Sequence, residues 1–336
     1  MRLSLPCFIA LVLLWQNILS TEINETEILV SSDSTSGQLF GSDAAISGDY
    51  LLIGAKSGKP NSGSAYIFKR TPNNTWVEED ILRPNDPDAY SFGASVEISG
   101  DYAFISAPQF FNTTSTPNYL RCGVVYVFKR NGTDWNQIER LELTDQNSND
   151  YMGEDISFHG NYLIVGVWRD DDDGESSGSA CIFELDRNTD TWTQHPKLTA
   201  SDAEANARYG YSVAIHGDYA LVGAPYKDSP QKDRGSVYVI KRDPITNTWS
   251  EETKLTVSDG GTNQMLGWSV ALSETRATVS SKNRYVHVFR RTGTNWTYED
   301  KIEPNDYIWL DNFGDEIDIY GDFIIAGAPT SPPTQA

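Results

Sequence analysis

Short apolar runs recur along the chain in nearly the same spelling: YLLIGAK from Tyr50, YAFISAP from Tyr102, YLIVGVW from Tyr162, YALVGAP from Tyr219 and FIIAGAP from Phe323. Their almost continuous apolar content predicts strands buried on both faces. Upstream of each lies a stretch with apolar residues two apart, such as Val96 and Ile98 or Val213 and Ile215, the alternation of a strand with distinct faces. Between the two stand Gly48-Asp49, Gly100-Asp101, Gly160-Asn161, Gly217-Asp218 and Gly321-Asp322, residue pairs that tolerate positive φ and close tight hairpins. A variable loop leads to a third run, GSAYIFKR from Gly63, echoed as GVVYVFKR, GSACIFEL and GSVYVIKR. A polar turn and a Trp (Trp76, Trp135, Trp192, Trp249, Trp296) then open a wetter fourth strand.

The register of these units is rigid. A pair that is usually aromatic or apolar plus Gly stands at Phe40-Gly41, Phe92-Gly93, Met152-Gly153, Tyr209-Gly210, Leu266-Gly267 and Phe313-Gly314. A Gly-Ala-Pro-like triplet starts 13 residues after each Gly, at Gly54, Ser106, Gly166, Gly223, Ser280 and Gly327. Successive units are 47 to 60 residues apart, a period that signals a propeller or a related array. A four-stranded sheet with a buried middle cannot cover its own faces, so like units must pack on one another. The expected fold is all-β, a β-propeller of four-stranded antiparallel blades, with six repeats visible and the last incomplete. Residues 21–336 are expected to form a single domain. The sixth repeat stops at GAPTSPPTQA with no counterpart of GSAYIFKR, while EILVSSD from Glu27 has the character of a fourth strand that completes the final blade. The chain is therefore expected to be an incomplete propeller, truncated at its carboxyl end or needing a partner for closure, because an open edge invites aggregation.

The paired landmarks, as in YGYSVAIHGDYALVGAP from Tyr209, resemble the FG-GAP repeats of the β-propeller at the head of integrin α subunits and of simple secreted FG-GAP proteins. The resemblance runs from Asp33 to Pro329 and implies a propeller. In integrin-type repeats the turn between the two landmark strands is often expanded into a calcium loop. Here that place holds two-residue turns, Glu274-Thr275 in the fifth repeat, and one carboxylate cannot surround a hard cation. No calcium site of the family is carried over to this chain.

Composition narrows the function. The formal charge is −21, which repels nucleic acid and anionic membrane surfaces. Met1 to Ser20 carries Arg2, an apolar run and a small residue at its end, the pattern of a signal peptide and too short for a membrane span. No other segment reads as transmembrane, so the expected location is secreted, or cell-surface if an anchor follows. Only Cys122 and Cys181 remain after cleavage, so packing rather than disulfides must supply stability. Sequons begin at Asn24, Asn73, Asn112, Asn131 and Asn295, candidates for glycosylation.

No His-Glu-x-x-His pair and no nucleophile constellation is present. The leading expectation is a non-catalytic binding or adhesion-type propeller for a protein or glycan, without cofactor. The alternative is a glycan or ester hydrolase or lyase using acids of the first strand, among them Asp43, Glu97, Asp155, Glu316 and Asp318. Variable loops on a rigid scaffold are where recognition is usually placed. Those after the second and fourth strands carry the binding candidates Phe110, Phe111, Tyr119, Trp168, Asp170, Asp171, Asp172, Asp173, Tyr226 and Lys227. The Asp170–Asp173 run has the composition of a calcium loop without its spacing, and a hydrated acidic loop is its expected reading. Millimolar calcium should accordingly leave the melting temperature unchanged; a large rise undone by a chelator would overturn this.

Overall fold

The computed structural model describes residues 10–14, 27–33, 37–58, 63–113, 119–228, 231–258, 261–282, 285–304 and 312–328, and every regular element in them is a strand. Contacts group the chain into two compact units, Glu25–Thr199 with repeats one to three, and Ala200–Ala336 together with Met1–Asn24, with repeats four to six. In the first unit the sheets run Leu39–Ser47, Tyr50–Lys56, Ser64–Arg70, Trp76–Leu82; Val96–Ser99, Tyr102–Ala107, Val124–Asn131, Asp134–Leu141; and Met152–His159, Tyr162–Val167, Ser179–Asp186, Thr191–Gln194. In the second they run Ser212–His216, Tyr219–Ala224, Ser236–Asp243, Thr248–Leu255; and Leu266–Leu272, Arg276–Ser281, Tyr285–Thr292, Asn295–Ile302. Each is an antiparallel meander in chain order, the blade expected from the sequence, and the fold class is the all-β propeller of four-stranded blades.

The Gly-Asp pairs close two-residue hairpins with Gly φ between 59 and 65° at Gly48, Gly100, Gly160 and Gly217. Their acidic or amide side chain has a fixed partner. The Arg that ends the third strand donates to it: Arg70 Nη2 to Asp49 at 2.6 Å, Arg242 Nη2 to Asp218 at 2.5 Å, Arg187 Nε to Asn161 at 2.7 Å, and Arg130 to Asp101. In repeat five the turn lacks the Asp, and Arg291 bonds the Glu274 carbonyl at 2.5 Å instead.

The first strand is bulged at the FG pair. Phe40 faces Ala55 and Ala44 faces Ile53, so Gly41, Ser42 and Asp43 all stand opposite Gly54; Met152/Ile156 and Leu266/Val270 repeat the shift. The bulge Gly adopts φ of 82 to 91° at Gly41, Gly93, Gly153, Gly210 and Gly267, a region that favours glycine. Its amide donates across the bulge to the residue 13 positions on: Gly93 to Ser106 at 3.0 Å, Gly210 to Gly223 at 3.0 Å, Gly314 to Gly327 at 2.9 Å. That bond gives the sequence its fixed offset.

Neighbouring repeats within a unit meet through the same residues. A Cβ on Gly54 would lie 2.3 Å from the Gly93 carbonyl oxygen, and one on Gly223 would lie 2.3 Å from that of Gly267. The opening Gly of the third strand is as tight, with Gly123 facing the Met152 oxygen at 2.1 Å and Gly235 that of Leu266 at 2.3 Å. Hydrophobic cores fill the spaces between consecutive sheets. Leu52 and Ile67 of repeat one meet Phe92, Ile105 and Tyr126 of repeat two; Leu221 and Val239 of repeat four meet Val270 and Val279 of repeat five. The fourth-strand Trp packs edge-on against the preceding repeat, Trp135 on Tyr50 at 6.0 Å, Trp192 on Phe104 at 5.7 Å and Trp296 on Tyr219 at 5.9 Å. Cys122 and Cys181 are both buried and neither forms a disulfide.

The segment from Glu27 does not form a strand of the last blade. It lies along repeat one, where Asp33 accepts from Tyr66 at 2.7 Å and pairs with Arg83, and Leu29 packs on the buried face. The reason is a recurring tether that the sequence reading missed. Beyond the fourth strands ending at Leu82 and Gln194, an Asp reaches a third-strand Tyr or a fourth-strand base further along the chain: Asp86 to Arg140 at 2.8 Å, Asp202 to Tyr238 at 2.8 Å and to Lys254 at 2.6 Å. Asp33 is the first of these. In the sixth sheet, Ile317–Tyr320 pairs with Phe323–Gly327, and the third position is taken by the apolar segment Ala10–Leu14.

Adding one methyl group at Gly54 or Gly223 should therefore cost on the order of 2 kcal/mol, because overpacking must push a backbone oxygen aside. Gly58→Ala and Gly261→Ala, with nothing within 4 Å, should stay near neutral. Denaturant melts of the four variants check this, and equal stabilities would contradict the close approach.

Candidate functional site

The bulge turns the residue after its Gly outward at the end of the blade that carries the loops between second and third strands. That column reads Ser42, Ala94, Glu154, Tyr211, Trp268 and Asp315, chemically varied where its neighbours are nearly constant. In the carboxyl-terminal unit it builds an aromatic cluster. Tyr211 and Trp268 lie 4.8 Å apart, and Tyr226, from the loop after the second strand, lies 6.3 Å from Tyr211 and 6.5 Å from Trp268. The Trp268 indole N–H donates to Asp315 at 2.9 Å, fixing the ring. Cations cover two of the rings: Arg208 stands 4.1 Å from the Tyr226 centroid and Lys282 stands 3.6 Å from that of Trp268. Arg208 holds φ of 57°, as do Ser91, Tyr151, Met265 and Asn312 in the same position to within a few degrees, so this backbone is part of the repeat. All five site side chains are half-buried, leaving part of each in solvent.

The amino-terminal unit carries a smaller relative of this cluster. Tyr151 and Trp168 lie 5.6 Å apart, with Arg169 5.3 Å from each ring. Glu154 still reaches solvent, yet the crowding around it raises its carboxyl above the usual range; Lys56 and a hydrogen bond with Trp168 pull it back.

Of the candidates from sequence, Trp168 and Tyr226 enter these clusters. Phe110 does not: it is 3% exposed, under Arg140 at 4.9 Å, because its loop folds back onto the blade. Phe111 is half-buried against Tyr90 at 4.5 Å. Tyr119 pairs as a strand residue with Asn112, and its side chain lies outside the described residues. Lys227 is buried and held by Glu204, with Asp202 at 3.8 Å, which makes it part of the packing. The clusters add Tyr211, Trp268, Arg208 and Lys282, which sequence reasoning missed; the signal was a variable column inside an otherwise fixed pattern.

The Asp170–Asp173 run is not a hydrated acidic loop throughout. Asp170 is 1% exposed and accepts from Ser179 at 2.5 Å. Lys197 sits at the centre, 2.6 Å from Asp145 and 2.7 Å from both Asp170 and Asp172. Burial alone would lower the Lys197 pKa, but the three carboxylates outweigh it and raise it. Asp171 accepts from the Ser176 amide at 2.6 Å, and Asp173 is exposed. This is the Asp tether of repeat three with Cys181 in place of the Tyr, so the lysine reaches further in. Among the described residues no group of three or more His, Cys, Asp or Glu is disposed to hold a metal ion.

The first-strand acids are used between repeats. Asp43 accepts from the Val96 amide at 2.7 Å and Ser95 at 3.0 Å, and Glu97 accepts from the Phe158 amide at 3.3 Å. Burial raises Asp43, and the crowding around its carboxyl raises Asp318, although that residue keeps an exposed surface. Asp155 is half-buried, and Glu316 is exposed while its carbonyl accepts from Gly327 at 2.9 Å. Of the sequons, Asn73, Asn131 and Asn295 are exposed in turns before the Trp, whereas Asn112 is buried against Gln146 at 3.2 Å and is closed to a glycan. Asn24 lies outside the described residues. Among the described residues no helix is long and apolar enough to cross a membrane.

Asp150, 3% exposed beside this acidic loop, is pushed up to about 6, first by burial and then by Asp170 and Asp171; the Asn147 amide at 2.7 Å and Lys197 oppose the rise. A raised carboxyl stabilises the fold only while protonated, so its contribution is lost as pH climbs from about 4 through 6. Asp150→Asn, whose amide oxygen can keep the Asn147 bond, should gain on the order of 2 kcal/mol over wild type at pH 8 and nothing at pH 4. Melts across that range decide it, and a pH-independent difference would contradict the shift.

The family model for the FG-GAP repeat matches residues 23–68, 135–183, 192–240 and 249–285. No curated protein matches the chain. Among solved structures, it is similar to a candidate 6-phosphogluconolactonase from Bacteroides uniformis, at 15% identity and a TM-score of 0.50, over 77% of this chain and 70% of that one. It is also similar to the periplasmic gluconolactonase of Pseudomonas aeruginosa, at 14% identity and a TM-score of 0.48, over 78% and 69%. The likeness to the first is one of fold. With the family model matching more than half of the residues, and with the bulge and its 13-residue bond seen in the sheets, the chain belongs to the FG-GAP repeat family.

Proposed function

We propose that this protein is a secreted or cell-surface binding module without catalytic activity, which engages a protein or glycan at the bulge end of its blades. The observation that carries this reading is the Tyr211–Tyr226–Trp268 cluster, three half-exposed aromatic rings set at and beside strands whose backbones are in close contact. Tyr and Trp concentrate at recognition surfaces because they offer large contact area with few rotamers to freeze. Arg208 and Lys282 add charge at the same place, in a chain whose surface is otherwise dominated by acids. The exposed sequons support the same polarity. In every complete blade the turn before the Trp lies at the end away from the bulge, so glycans at Asn73, Asn131 and Asn295 would leave the aromatic end clear.

The first-strand acids favour no hydrolytic reading, since Asp43 and Glu97 are spent on neighbouring backbone amides. The test is a panel of glycans and extracellular protein domains, probed with wild type and with Tyr211→Ala/Trp268→Ala. Saturable binding should fall about tenfold or more in the double variant, the expected loss for two anchor residues, while its melting curve stays put. Unchanged binding would remove the site assignment. Turnover of a lactone, ester or glycoside by wild type, lost with Asp43→Asn or Glu97→Gln, would replace the binding reading by an enzymatic one.

A further inference from the structure

Lysines over aromatic rings recur in this molecule, and they come with an acid. Lys69 lies over Tyr50 and pairs with Glu79 at 3.1 Å; Lys129 lies over Tyr102 and pairs with Asp190 at 2.6 Å; Lys241 lies over Tyr219 and pairs with Glu252 at 2.9 Å; Lys254 lies over Tyr238 and pairs with Asp202 at 2.6 Å. Lys282 departs from this rule. It has the tightest ring contact, 3.6 Å to Trp268, and makes no ion pair among the described residues. The nearest acid of the cluster, Asp315, takes the Trp268 indole N–H on Oδ1. Arg208 of the preceding repeat stands close enough to repel it.

We infer that Arg208 and Lys282, set against the rings of Tyr226 and Trp268, receive the carboxylate of an acidic saccharide, a uronate-containing glycan whose ring lies on the aromatic cluster. This rests on the binding reading above and names its ligand. The charge balance supports it. Burial holds the Lys282 ammonium below the usual lysine range, Asp315 draws it back up, and Arg208 pushes it down again; an arriving anion would relieve both penalties. Two cations held together in a chain of net −21 form a local exception that a small anion can find. At physiological salt, charges beyond roughly 8 Å are screened, so one carboxylate feels the pair more than the distant acids. An extended acidic protein would bring many charges against that excess, and a stable protein interface needs about 800 Å² from each partner. Three rings within 6.5 Å of one another match instead the footprint of one or two sugar units.

The experiment is calorimetric titration of the intact chain with tri-galacturonate, with its carboxyl-reduced neutral counterpart, and with a tri-glutamate peptide, at low and high salt. Tri-galacturonate should bind about tenfold or more tightly than the neutral sugar, and salt should erase most of the difference. Lys282→Gln and Arg208→Gln should each lower its affinity about five- to tenfold, a larger loss than for the neutral sugar, and leave the melting temperature unchanged. Equal affinity for acidic and neutral sugars, indifference to both charge variants, or no saccharide binding at all would overturn the inference. So would tri-glutamate binding as tightly as the sugar. In each case the binding reading is judged separately, by the response of its own partner to Tyr211→Ala/Trp268→Ala.

Discussion

A carbonyl oxygen of one repeat rests where a side chain of its neighbour would begin. Gly93 against Gly54 and Gly267 against Gly223 bring backbones to a distance that admits no Cβ, and much of the rest follows from that contact. It requires Gly in the second strand, positive φ at the bulge Gly, and a bond across the bulge that sets the offset of the two landmarks. Ser42 and Ser212 then reach past the missing Cβ to donate to the Gly93 and Gly267 oxygens at 2.7 and 2.8 Å. Where the Gly is replaced by Ser106 or Ser280, the hydroxyl folds back and accepts from the amides of Ser95 and Ser269, each at 2.9 Å. The junction thus has two solutions, and both keep the backbone groups satisfied.

The same contact determines where variation is tolerated. A bulge must leave one residue beside its Gly outside the ladder; that residue keeps some exposed surface, and at Ser42 and Trp268 it bonds the next repeat through Gly93 and Asp315. Ser, Ala, Glu, Tyr, Trp and Asp occupy the position in turn without disturbing the junction. Rigid geometry and free chemistry meet there, which is the condition for a recognition surface on a repeat scaffold.

The acidic excess has an internal use as well. Asp49, Asp101 and Asp218 hold the Arg at the end of the third strand, and Asp33, Asp86 and Asp202 each pair with a basic residue further along the chain. Pairs as exposed as Arg70–Asp49 contribute little each, about 0 to 1 kcal/mol. The Lys197 group differs, because Asp170 and the lysine are withdrawn from solvent and losing either leaves a buried charge unmatched.

From the sequence alone, the four-strand repeat, the hairpins at Gly-Asp and the buried second strand could be read, because each depends on residues close together in the chain. Trp168 and Tyr226 could be placed at the bulge end of the blades for the same reason: strand direction alternates, so a loop's position in the repeat fixes its end of the blade. What the sequence could not settle were contacts between residues 27 to 57 positions apart. Phe110 and Asp170 read as exposed loop residues until their loops folded onto the blade and onto Lys197. Asp33 read as part of a strand until Tyr66 and Arg83 claimed its carboxylate. Tyr211 and Trp268 look like core aromatics in a string; only the bulge, a local break in the ladder enforced by the neighbouring repeat, turns them outward and brings them within 4.8 Å of each other.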